Sequence, residues 1–282
     1  MGARNFILIM SLLLGLYFII LMPFTVYMTS KPYVEKLGII PRAEVLQVVS
    51  ADQKQLVGAS IITKVVMYFG GLLGTEQSKI SLPPDYQAMS RTLHAAMRLD
   101  PYNMDGYYFA QSILVWDVRQ FMIANNLLES GMKYRTWDWS LPYFAGFNYA
   151  FFLKDYANAA KYFKLAGDLS GNPLFVNLTG RYLHEAGQTE MAISYINTMK
   201  KSAKNPAIKK TYTIRLKALE AVRSIENARD AYRAAMAHLP ASLDELVSSG
   251  YLKKLPADPY GGKFYLEPDG KVMTTSKFAF SK

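Results

Sequence analysis

Three histidines, His94, His184 and His238, and the absence of cysteine bound the chemistry open to this chain of 282 residues. Without cysteine there is no disulfide, no Cys-ligated zinc, no iron–sulfur cluster and no thiol nucleophile. The histidines lie far apart in sequence and HExxH does not occur, so no metal site and no cofactor is expected. The spacings GxSxG, GxxxxGK[ST] and GxGxxG are also missing. Gly70-Gly71-Leu72-Leu73-Gly74 is glycine-dense, but no Lys-Ser/Thr follows it. The acidic pairs Asp244/Glu245 and Glu220/Glu226 sit in ordinary helical contexts. No catalytic residue is nominated, and a non-enzyme is expected. What remains is recognition chemistry. Arg181 and His184 stand three apart, on one face of an expected helix, where together they can hold a carboxylate.

The elements that must position such residues begin with an apolar run. No residue from Phe6 to Met22 is charged, and the run continues through Pro23 to Met28. About 20 apolar residues in a helix cross a bilayer. The run is long for a signal peptide and lacks an Ala-x-Ala cleavage site, so residues 1–29 are expected to be an uncleaved transmembrane anchor. Tyr17, Phe24 and Tyr27 suit an interfacial belt. Arg4 before the span and Lys31 and Lys36 after it nearly balance, so local charge does not orient it. Lys31 to Pro41 reads as a connector, and Arg42 to Gly74 as one helix. Its second half is markedly apolar (Ile61, Ile62, Val65, Val66, Phe69, Leu72). Lys64 in the middle favours a buried helix over a second span.

From Asp85 onward the chain falls into units of about 34 residues. Leu93 to Pro101 closes one. The next carries Tyr108, Ala124, Leu128 and Gly131; the next Gly146, Tyr149, Ala159, Phe163, Ala166 and Pro173; the next Gly180, Leu183, Gly187, Ala192, Ile196 and Pro206. Small residues recur where paired helices would cross, with a large apolar residue four positions after each key alanine. This phase resembles the tetratricopeptide repeat, with three repeats and a degenerate first one over about residues 42–206, inside a solenoid domain of residues 30–206. The resemblance implies a solenoid of antiparallel helix pairs with a concave face lined by the first helix of each pair. On this chain the partner-binding groove would be Phe109, Ile113 and Trp116, then Tyr143, Phe147 and Phe151, then Asn177, Arg181 and His184. The turn Leu153-Lys154-Asp155 looks one residue short.

Residues 207–282 differ. A long helix is expected over 206–238; across 198–233 there are ten Lys/Arg and three Asp/Glu, an excess of 10 − 3 = +7. Neither interleaved aromatics nor a nucleic-acid module accompanies this charge, so a solvated helix face is expected rather than nucleic-acid binding. Ser242 and Glu245 form a capping box, Gly250 ends a short helix, and Lys263 to Ser276 read as a β-hairpin turning at Pro268-Asp269-Gly270. The order Gly250-Tyr251-Leu252, Leu255-Pro256-Ala257-Asp258-Pro259-Tyr260-Gly261 and hairpin resembles the end of the major pseudopilin of type II secretion systems. In that family calcium is bound here; Asp258 and Asp269 are the oxygen donors to test. Met1 to Phe6 departs from the pseudopilin leader and its acidic fifth residue, so a processed pilin subunit is not expected.

Pro41 to Leu46, Tyr68-Phe69-Gly70, Leu99-Asp100-Pro101 and the stretch from Gly146-Phe147 through Asp155 to Ala160 resemble membrane-anchored tetratricopeptide proteins of Gram-negative bacteria. The expected fold class is mostly α: a transmembrane helix, a helix-pair solenoid and a small C-terminal α+β module. The expected function is a non-catalytic scaffold for protein partners in an envelope, secretion or pilus-type assembly. The alternative is an accessory subunit of an inner-membrane transporter or enzyme complex. The pseudopilin-like end places the soluble part in the periplasm.

Overall fold

A computed structural model describes residues 3–30, 37–72 and 84–279. It is mostly helical, with one small antiparallel sheet near the C-terminus. The chain divides into two compact units, Met1–Arg119 and Gln120–Lys282.

The first unit opens with α1 (Ala3–Ser30). Its stretch Leu8–Ser30 spans 23 residues at mean hydropathy 2.3 with none of it buried, so this one helix is long and apolar enough to cross a membrane. The expected helix Arg42 to Gly74 is in fact broken. Short α2 (Ala43–Val49) ends at Ser50, a 3₁₀ turn follows over Ala51–Gln53, and α3 runs over Lys54–Gly71. Ala51 takes φ +43°, a left-handed conformation that no continuous helix accommodates. Leu73 and Gly74 lie outside the described residues. As expected, α3 is a buried helix: Ile61, Ile62, Val65, Tyr68 and Phe69 form its inner face, and it packs on α4 (Tyr86–Leu99). Gly58 permits that approach, because a Cβ there would come within 3.0 Å of the Asp100 Cβ and 3.2 Å of the Ala96 carbonyl. Asp85 caps α4 by accepting from the Ala88 N–H, and Asn103 caps α5 (Met104–Ser112) by accepting from the Gly106 N–H. A wide π turn, Ile113–Asp117, closes α5.

The second unit runs through α6 (Phe121–Met132), α7 (Ser140–Asn148), α8 (Tyr156–Ser170), α9 (Pro173–Glu185), α10 (Thr189–Ser202) and α11 (Pro206–Met236), each packed against the next. Large residues enter the space left by glycines where helices cross. A Cβ on Gly146 would meet the Phe163 ring at 3.3 Å, and one on Gly180 would meet the Ile196 side chain at 2.8 Å. Ala124, Ala159 and Ala192 are all buried. The short-looking turn after α7 has a physical reason: α7 ends in a π turn, Tyr149–Leu153, which absorbs a residue, and Lys154 adopts φ +55° to leave it.

The C-terminal segment shares the core of this unit. Val222, Ile225 and Tyr232 of α11 pack with Leu243 and Leu246 of α12 (Leu243–Ser248), with Tyr260 and with Val272. Ser242 accepts from the Glu245 N–H, but the Glu245 carboxylate reaches back to the Ala241 N–H rather than to its cap residue. The hairpin pairs β1 (Phe264–Leu266) with β2 (Val272–Thr274) in the register Tyr265↔Met273. Its turn uses Gly270 at φ +86°.

Candidate functional site

Phe109, Ile113 and Trp116 belong to the first unit; the other six groove candidates belong to the second. Ile113 is buried and so is not a groove residue, while half-buried Phe109 meets Phe69 edge to face at 6.2 Å. Trp116, in the π turn, is 59% exposed.

In the second unit the π turn of α7 carries the main aromatic feature. Phe147 and Phe151 stack at 5.4 Å, Phe151 meets Phe152 edge to face at 5.0 Å, and Phe152 stacks on Phe121 of α6 at 4.6 Å. Phe151 is 55% exposed, and the Lys154 ammonium lies 5.3 Å from its ring. An i→i+5 turn rotates the chain less per residue than an α-helix, which puts Phe151 and Phe152 side by side at the helix end. Tyr143, one turn earlier, is half-buried and packed among Trp139, Phe147, Phe163 and Phe175.

Beneath this ladder lies a buried polar network. Asn148 donates to the Asn125 carbonyl at 2.9 Å, and Glu129 accepts from Tyr162 and, at 3.5 Å, from Tyr149. Burial and the Glu129 carboxylate push the Tyr162 phenol well up, so it stays a donor. Asp138 fixes the entry to α7. Burial pushes its carboxyl up, but hydrogen bonds from Ser140 and the Arg135 guanidinium outweigh this and leave it below the ordinary value.

The polar end differs from its expected form. His184 is buried, not groove-lining. Its Nδ1 shares a 3.0 Å hydrogen bond with Thr189, which donates at 2.9 Å to Glu226 of α11. Its Nε2 lies near the Val272 backbone but makes no hydrogen bond of ordinary geometry. Burial, with Lys271 and Arg215 close by, lowers His184 to about 4, so the ring is neutral at physiological pH. Burial also pushes Glu226 up, against the Thr189 hydrogen bond and the nearby Arg229 and Arg223. The expected Arg181–His184 carboxylate clamp does not form, because Arg181 pairs with Glu185 at 2.6 Å on its own helix. Asn177 turns inward to the Pro173 carbonyl.

The chain's own tail covers this end. Lys271 donates to the Glu185 carbonyl and lies over the Tyr156 ring, and Phe278 meets His184 edge to face at 5.3 Å. Arg215 of α11 lies 4.9 Å from Phe278 and 5.1 Å from Tyr260, and donates to the Phe278 carbonyl at 3.0 Å. Burial lowers Arg215 to about 10, so it remains a cation with no carboxylate partner among the described residues. Arg215 and Glu226 carry a detectable sequence signal: both fall in phase with the apolar stripe Tyr212, Leu219 and Val222 of α11.

The two candidate cation ligands do not share a site. Asp258 is buried and accepts from Thr274, from Ser276 at 2.6 Å and from the Tyr260 N–H, which pins the hairpin to the preceding loop. Asp269 accepts from the Lys271 N–H inside its own turn. Among the described residues no group of three or more acidic or histidine side chains converges on a point.

The chain matches no family model, and no curated protein or solved structure is detectably similar to it.

Proposed function

We propose that this chain is a non-catalytic scaffold, anchored in a bacterial inner membrane through α1, whose helix pairs hold protein partners in an envelope, secretion or pilus-type assembly. The single observation that supports it most is the aromatic ladder of half-buried Phe147 and Phe152 with exposed Phe151. Stacked rings at a helix end, half open to water, are the kind of anchor that dominates protein–protein binding. The regular succession of helices α6 to α11, with Gly146 and Gly180 receiving Phe163 and Ile196, supports the tetratricopeptide-like reading. The soluble part is read as periplasmic on the resemblance of residues 250–275 to a pseudopilin end.

The expected site is narrower than the nine-residue groove. Within the second unit it keeps Phe147 and Phe151 and loses the His184 end, which the chain fills itself; Trp116, exposed in the first unit, is a separate candidate surface. A photo-crosslinking residue at Phe151, in cells carrying the full chain, should trap a protein partner, and one at Lys161, exposed elsewhere on the same unit, should not. No adduct at Phe151, or equal adducts at both, would defeat the docking reading. A reporter that works only in the cytoplasm, fused after Lys282, should be inactive; activity would overturn the periplasmic placement.

A further inference from the structure

Soon after the anchor, α2 carries apolar residues on its water-facing side as well as on its buried one. Val45, Val48 and Val49 occupy one face and are 50%, 80% and 76% exposed, and Ile39 just before them is fully exposed. The inner side of α2 is made by Ala43 and Leu46, and two exposed polar side chains on its flank tie it to α4. Glu44 pairs with Arg98 of α4 at 2.7 Å, and Gln47 donates to the Arg98 carbonyl at 3.1 Å. Single exposed valines are ordinary, but a contiguous apolar face marks a contact surface.

The covalent chain limits what that surface meets. Only residues 31–36 separate the end of α1 from Leu37, and six residues reach roughly 20 Å at full extension. Ile39, nine residues past Ser30, therefore stays within roughly 30 Å of the end of α1, and α2 begins four residues later. A groove of about 1050 Å³ lies beside it, lined by Tyr27 of α1, by Ile40 and Arg42, and by Arg91, His94 and Arg98 of α4. Arg42 and Arg91 form no ion pair among the described residues. Apolar side chains rimmed by unpaired arginines, next to a spanning helix, match the headgroup zone of an anionic bilayer.

We infer that the face formed by Ile39, Val45, Val48 and Val49 rests in the headgroup zone of the bilayer that α1 enters, with Arg42 and Arg91 taking anionic lipid headgroups. This rests on the reading of α1 as a membrane anchor. It makes the first unit a membrane-lying platform rather than a domain on a free tether.

Because the chain has no cysteine, single labels are straightforward to place. The full chain is reconstituted in vesicles of phosphatidylcholine and phosphatidylglycerol, bearing an environment-sensitive fluorophore at Val48→Cys, Leu14→Cys or Glu220→Cys. Quenchers are placed on lipids either near the headgroup or deep in the acyl chain. The expected result is shallow quenching at position 48, deep quenching at 14 and none at 220. Quenching at 14 but not at 48 overturns the inference while leaving the anchor intact; no quenching at 14 defeats the anchor reading itself. A fluorophore at 48 that is shielded only as protein density rises, without lipid quenching, assigns the face to a second copy and also overturns it. Arg42→Glu with Arg91→Glu should abolish the gain in quenching that phosphatidylglycerol confers at 48. Quenching indifferent to phosphatidylglycerol in the unsubstituted background rejects the headgroup contact. Circular dichroism of each labelled chain checks that these exposed substitutions leave the helices formed.

Discussion

The two ends of the helix array in the second unit began as one expected surface and fold into opposite environments. At the α9 end, His184 and the Glu185 carbonyl are covered by residues 271–278 of the same chain, with Arg215 held between the Tyr260 and Phe278 rings. At the α7 end, Phe147, Phe151 and Phe152 form a stacked ladder whose outermost ring is more than half exposed. Polar residues are inside and apolar ones outside, the reverse of the usual sorting. Local devices hold most of the inside arrangement: Thr189 bridges His184 to Glu226, Glu185 neutralises Arg181, and aromatic faces receive Arg215, while His184 Nε2 and Arg215 Nε and Nη1 have no hydrogen-bond partner of ordinary geometry. Phe151 in the outside arrangement keeps more than half of its surface in water, which is why the ladder rather than the charged end is read as the place for a partner.

The sharpest way to break this contrast is to remove the cover. Phe278→Ala should destabilise the second unit by about 3–5 kcal/mol, the usual cost of emptying a buried aromatic site. Thermal unfolding of the full chain in detergent reads it; a change below about 1 kcal/mol would mean that the tail rests on α9 without supporting it.

Next in size is a pH effect. His184 titrates at about 4 in the fold against an ordinary 6.5, so between those values the unfolded chain binds more protons. Stability from this group is present above pH 6.5 and is lost as pH falls toward 4, by roughly 3 kcal/mol in total. Glu226, raised by burial, works in the opposite direction, so the comparison must be with His184→Gln rather than along one curve. The stability advantage of the parent over the variant should shrink steadily from pH 7.5 to pH 4. An advantage independent of pH would show that His184 is not buried as a neutral ring.

The helix crossings should give an intermediate effect. Gly180→Ala places a Cβ within 2.8 Å of Ile196, and Ala159→Leu overfills a fully buried position; each should cost roughly 1–3 kcal/mol. Lys161→Ala, exposed on the same helix as Ala159, should change stability by less than about 0.5 kcal/mol. Equal melting of Ala159→Leu and Lys161→Ala would refute the helix phase.

Phe151→Ala should have the smallest effect on folding, within about 0.5 kcal/mol, because the ring is largely in water. Its effect belongs to binding, where loss of an aromatic anchor costs about 2 kcal/mol or more. Co-isolation from mildly solubilised membranes measures this; unchanged recovery with unchanged stability would sink the ladder as a docking site.

Local and periodic features were readable from residue types alone. The apolar run of α1, the buried face of α3, the cap Ser242, the start of α11 at Pro206 and the hairpin around Gly270 all depend on neighbours a few residues away. The break between α2 and α3 was not readable, since nothing in Val49-Ser50-Ala51-Asp52 forbids a helix; Glu44 and Gln47 hold α2 against Arg98 more than 50 residues on. The same holds for His184. Its spacing from Arg181 says only that both face one way from α9, while which chain segment lies on that face is decided by residues 271–278, about 90 positions later. Sequence spacing sets the direction of a side chain; only long-range packing decides whether water or protein meets it there.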